Sequence, residues 1–186
     1  MQGQTHMNPT IEDWKKRTQE AAARAEALLT DTPTERLNAA PPPGEEWSAA
    51  QHLEHLTIVT DKIAGKIEEA LLKNAPTGNP GEWQPNWMER PFIAACGPQP
   101  SGRTMPAPKL FIPAAGPYDP TELRQRFTEA HDRFVRLLDR AENVDVRRVK
   151  VASAAMPLLR LRLGAWFEAN TVHIAYHTDR AEALAR

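Results

Sequence analysis

The sequence predicts an all-α fold, a four-helix bundle in which a long Pro-rich crossover joins the second helix to the third. Three observations carry this expectation. Apolar residues recur every three or four positions in separate stretches, proline and glycine clusters interrupt those stretches, and the longest interruption, residues 74–118, holds ten prolines. The chain of 186 residues fits one domain, expected over 10–186, and is long enough to bury a core without staples. Residues 1–9 have no apolar pattern and are expected to form a disordered leader, which leaves His6 outside any site.

The first helix is expected over 10–29. Thr10 and Asp13 form a capping-box pattern, and Ile11, Trp14, Thr18, Ala21, Ala25 and Leu28 mark one face. Pro33 and the run Pro41, Pro42, Pro43, Gly44 cannot continue a helix, so a linker follows. The second helix opens at Ser48, with Gln51 as the other half of a capping box. Trp47 precedes the cap and His52 stands at the fourth helical position, where a staple contact forms. Its apolar series Leu56, Val59, Ile63, Ile67, Ala70 runs to about Lys73.

Residues 74–118 combine their prolines with Trp83, Trp87 and Cys96. That is too much proline for regular structure and too much apolar bulk for a free linker, so an ordered crossover is expected. A long crossing of this kind is a known way to wire a four-helix bundle. The third helix starts at Asp119, with Pro120 in the first helical position and Glu122 completing the cap. Leu123, Phe127, Ala130, Phe134, Leu137 and Ala141 form its stripe. Between 144 and 163, Val149, Val151, Leu159, Leu161 and Leu163 alternate as a strand would, around Pro157, which reads as an extended connection. A last helix from about Gly164 to Ala185 carries Trp166, Asn170, His173, His177 and Leu184 on one face.

Composition excludes several function classes. The 23 Lys and Arg are matched by 24 Asp and Glu, so the basic stripe that duplex binding needs is absent and no nucleic-acid partner is expected. Cys96 is the only cysteine, which excludes an internal disulfide and a thiolate metal site built from one chain. No apolar run approaches the roughly 20 residues that span a bilayer, and the first residues lack a hydrophobic signal core. No membrane partner is expected, and the expected location is the cytoplasm.

His173 and His177 are four apart on one helical face, close enough to bind one ion. Buried beside Trp166, unpartnered imidazoles would be costly, so something must satisfy their nitrogens: backbone and water, or a metal. A third ligand has to come from another helix, and the second helix offers His52 and His55. At about 100° per residue His52 lies near the centre of the apolar face and His55 at its edge. The staple against Trp47 already accounts for His52, which leaves His55 as the freer ligand. Three neutral imidazoles leave a fourth position open on a zinc-like ion, as catalytic sites do. Asn170, one turn before His173, is a candidate to orient a guest there. Asp179 points roughly 160° away from the site face by the helical count and is rejected as a ligand, and Glu54 and Glu168 also point away. Arg126 and Arg133 flank the third helix's stripe and are expected to form a salt-bridged surface.

Trp47, Ser48, Gln51, His55 and Leu56, followed by Leu163, Gly164, Trp166, His173 and His177, resemble the DinB-like superfamily of four-helix metalloproteins, in order along most of the chain. The resemblance implies one divalent ion on His55, the histidine eight residues after the Trp of a Trp-Ser pair, and on His173 and His177. Zinc or nickel is the expected metal, with iron also suited. It further implies a small-molecule substrate and a possible homodimer. Some relatives are thiol-dependent S-transferases or isomerases that use low-molecular-weight thiols such as bacillithiol or mycothiol, and many are described as metal-dependent hydrolases. A transferase is the leading expectation, a hydrolase the alternative, and a non-catalytic metal-binding or small-molecule-binding stress protein the third reading. One departure is Arg180, where many relatives have Gln. Together with His52 and Asn170, Arg180 is a candidate to line the site around the ligands.

Overall fold

In the computed structural model the described residues are 9–73, 76–77, 83–98 and 106–186. The expected disorder of residues 1–8 and parts of the expected crossover lie outside them. Four long helices dominate: α1 (Pro9–Asp31), α3 (Ala49–Leu72), α5 (Pro120–Arg140) and α6 (Leu163–Ala185). They pack in a ring, α1 against α5 and α6, and α3 against α5 and α6. Short helices α2 (Thr34–Leu37) and α4 (Glu89–Ala95) and a 3-10 turn (Lys109–Phe111) fill the connections. No helix among the described residues is long and apolar enough to cross a membrane.

The helix starts follow local chemistry. Ser48 caps α3 by accepting from the Gln51 amide at 3.2 Å, while the Gln51 side chain accepts from the Ser48 amide at 3.0 Å, which completes the capping box. Asp119 caps α5 by accepting from the Thr121 and Glu122 amides, and Pro120 occupies the first helical position, where no N–H is needed. α1 differs from expectation. It starts at Pro9, so Thr10 lies inside its first turn and not before it.

The fold is mostly helical but not purely α. Residues 144–163 contain strands β1 (Lys150–Ala152) and β2 (Arg160–Arg162), paired antiparallel with Val151 opposite Leu161. Val151 and Leu161 face the core while Lys150 and Arg160 are exposed, the period-two pattern of a half-buried sheet. Trp166 donates its indole N–H to the Val151 carbonyl at 3.0 Å and ties the hairpin to α6. The crossover also departs from expectation by forming α4, despite Pro91.

The core sits where the ring of helices closes. Trp14 of α1, Phe127 and Phe134 of α5, Phe167 of α6, and Leu53 and Leu56 of α3 are all essentially inaccessible. The Phe167 ring bridges the layers, 5.5 Å from Trp14 and 5.8 Å from Phe134. Burial at about 25 cal/mol per Å² of apolar surface makes this seam the main source of stability. It also holds the facing surfaces of α3 and α6 in fixed register.

Candidate metal centre

Two helices supply the cluster. Capping at Ser48 sets the phase of α3 and places His55 toward α6, while the four-residue spacing on α6 stacks His173 and His177 on one face. One ring nitrogen from each of the three lies within 4.8 Å of the other two. His55 and His177 are buried and His173 is half-buried, with ring centroids 4.5 to 5.0 Å apart.

Hydrogen bonds outside the cluster decide which nitrogens remain. The His55 Nδ1–H donates to the Phe111 carbonyl at 2.8 Å, leaving Nε2 as a lone-pair donor toward the cluster. His177 Nδ1 is 2.8 Å from His52 Nδ1, so its Nε2 is likewise left over. His55 Nε2 and His173 Nε2 lie 3.3 Å apart, long for a hydrogen bond. Two nitrogens each about 2.0–2.1 Å from one tetrahedral ion would stand about 3.3–3.4 Å apart, so the donor set fits a divalent metal.

The rings are kept neutral by burial. Desolvation lowers His55, takes His173 to about 3, and holds His177 well below the usual imidazole range. His52, inside the same wall, falls to about 3, first through burial and then through the Arg180 guanidinium and His55. Neutral imidazole is the form that ligates metal.

The expected lining residues separate. His52 touches the cluster, but not only as a staple: its ring is 5.5 Å from Trp47, it also bonds His177, and its Nε2 is buried without a partner. Arg180 pairs with Glu45, so its charge is already compensated. Asn170 is buried, with neither amide atom hydrogen-bonded among the described residues. The rejected acids are committed elsewhere: Asp179 to Arg24, Glu54 to Arg126, and Glu168 to Trp14 and Arg17. Arg133 is engaged by Asp61 and Glu68, as a salt-bridged surface should be.

Two participants escaped the sequence reading, and a third, Trp47, was read as a staple partner of His52 and not as a wall of the site. Trp47 forms a wall for the site, its ring 4.7 Å from His55, 5.5 Å from His52 and 6.0 Å from His177. The Phe111 carbonyl and Glu45 approach from distant segments. Cys96 does not join the histidine group, and burial pushes its thiol up to about 12.

A mostly helical protein with three convergent, neutral histidines is thus defined. The chain belongs to the DinB superfamily, whose family profile matches residues 17–179. No curated protein and no solved structure matches it closely enough to add to this.

Proposed function

We propose that the chain is a four-helix-bundle metalloenzyme that holds one divalent ion, zinc or nickel, on His55, His173 and His177. In this reading it acts as a thiol-dependent S-transferase or isomerase on a small electrophile. The supporting observation is a neutral triad that no carboxylate joins among the described residues. Glu45, Glu54, Glu168 and Asp179 each have their own cationic or N–H partner. When bound, the ion supplies Lewis acidity and an open position at which a thiol loses its proton more readily.

The chain's own residues hold and shield that position. The Phe111 carbonyl fixes the His55 tautomer, His52 engages Nδ1 of His177, and Trp47 closes one side against water. Thiolate attack needs little protein acid-base machinery, whereas hydrolysis is normally helped by a positioned acid or base. Cys96, the single cysteine of the sequence, does not join the histidine group, so in this reading the thiol is a cosubstrate.

The first test is elemental analysis of wild type beside His55→Ala, with about one metal atom per chain expected in the former and almost none in the latter. A panel of small thiols should then perturb the spectrum of the cobalt-substituted site and consume monochlorobimane only when metal is present. Metal-independent consumption would sink the transferase reading. Thiol-free ester or lactone turnover that disappears in His55→Ala would replace it with a hydrolase.

A further inference from the structure

A second concave site lies at the other end of α3. A cleft of about 390 Å³ runs between the C-terminal part of α3 and the β1–β2 hairpin, with Ala70, Val149 and Val151 in its lining. Among the described residues five cations line it: Lys66 on α3, Lys73 just past its end, Arg148 just before β1, Lys150 on β1 and Arg160 on β2. Among the described residues Glu69 is the one carboxylate in this lining, and Lys66 already engages both of its oxygens at 3.1 Å.

The neighbouring acids have stronger partners outside the cleft, although Asp145 also feels the charge of Arg148. Glu68 is held by Arg133 and Arg140, and Asp145 by Arg147. Lys73, Arg148, Lys150 and Arg160 form no ion pair among the described residues, although the whole chain carries a net charge of only -1. The hairpin register adds a second sign of excess charge. Lys150 stands directly opposite Arg162, a like-charge pair that weakens a two-stranded sheet. Arg162 is compensated by Glu89, and Lys150 is not.

We propose that this cleft binds a small soluble polyanion carrying two or more phosphate-type groups. Arginine forks and mobile lysine ammonium groups around a concave site match several anionic oxygens at once. The cations converge on one small cleft and do not form a stripe, which suits a compact ligand better than a duplex or a membrane surface. Lys66 is eleven residues beyond His55 on α3, roughly 16 Å along the helix axis, so this site is separate from the histidine cluster.

The test is calorimetric titration of the full chain with inorganic tripolyphosphate at low and raised salt. The expected result is one-site binding that weakens with salt and falls about tenfold or more in Lys150→Glu/Arg160→Glu. It should persist in His55→Ala, which separates the cleft from chelation at the histidine cluster, and in Lys62→Glu/Arg124→Glu, which makes the same charge change elsewhere. Circular dichroism checks folding, and Lys73→Gln/Arg148→Gln replaces the first pair if that pair does not fold. Three results overturn the proposal: no binding, equal loss in the cleft and control pairs, or loss in His55→Ala. Tighter association with phosphatidylserine vesicles than with tripolyphosphate would also overturn it, in favour of a membrane surface.

Discussion

At the scale of single residues, the cluster is set by what each imidazole does with its second nitrogen. His52 lies outside the triad, yet its Nδ1 lies 2.8 Å from that of His177 and leaves the His177 Nε2 as the nitrogen available to a metal. Partners of this kind are worth about 10–100-fold in metal affinity. His52→Ala should therefore weaken zinc binding by that order in competition with a chromophoric chelator, while the circular dichroism spectrum stays helical. Unchanged affinity would show that the His52–His177 contact does not position the ligand. The His173–His177 pair was legible from its helical spacing, whereas periodicity favoured His52 over His55, and His55 was read from the staple that accounts for His52 and from the spacing after Trp47. The triad's supports were not legible. Phe111 lies 56 positions from His55 and Glu45 lies 135 from Arg180, separations that no local periodicity records.

At the scale of elements, the four long helices could be read because each carries an apolar stripe, and α3 and α5 a cap. α4 could not be read that way. Pro91 argues against a helix, but it occupies the third helical position, where a backbone N–H has no intrahelical partner to lose. The hairpin was visible only as alternation, because strands of three residues are too short to fix their own pairing. These irregular pieces clamp the start of α6. Glu89, almost fully buried, accepts from the Arg162 amide and guanidinium, and Trp83 lies flush against Gly164. A Cβ at Gly164 would come within 2.4 to 2.7 Å of the Trp83 ring. Gly164→Ala should thus destabilise the protein by about 1–3 kcal/mol in urea unfolding, against a helix-propensity gain of about 1 kcal/mol. A stabilised variant would mean that Trp83 does not pack on α6. Glu89→Ala should cost about 2–4 kcal/mol in the same assay, because it strands a partly buried guanidinium. A change within about 0.5 kcal/mol would show that the crossover is not held there.

At the scale of the whole molecule, the buried histidines make stability depend on pH. His131 on α5 belongs to this set although it is far from the cluster in sequence: its Nδ1–H donates to the Phe127 carbonyl at 2.7 Å, and its Nε2 is buried without a partner. Burial lowers His131 to about 4 and His52 and His173 to about 3, and also lowers His55 and His177. The unfolded chain, with imidazoles near 6.5, binds protons that the metal-free folded chain refuses. Stability from this source is therefore complete above about pH 6.5 and is lost as pH falls toward the folded values, by at most about 1.4 kcal/mol per pH unit for each histidine. Metal on the cluster competes with those protons, so the loaded protein should hold its stability to lower pH than the stripped protein, and a chelator at pH 7 should lower the Tm. Denaturant unfolding at pH 7.5 and pH 5, with and without zinc, measures the difference. His131→Leu should flatten the acid slope by about one histidine's share in both forms, since it touches no ligand. Equal slopes with and without zinc would mean that the three histidines do not share a metal, whereas an unchanged slope in His131→Leu would mean only that this one ring is solvated.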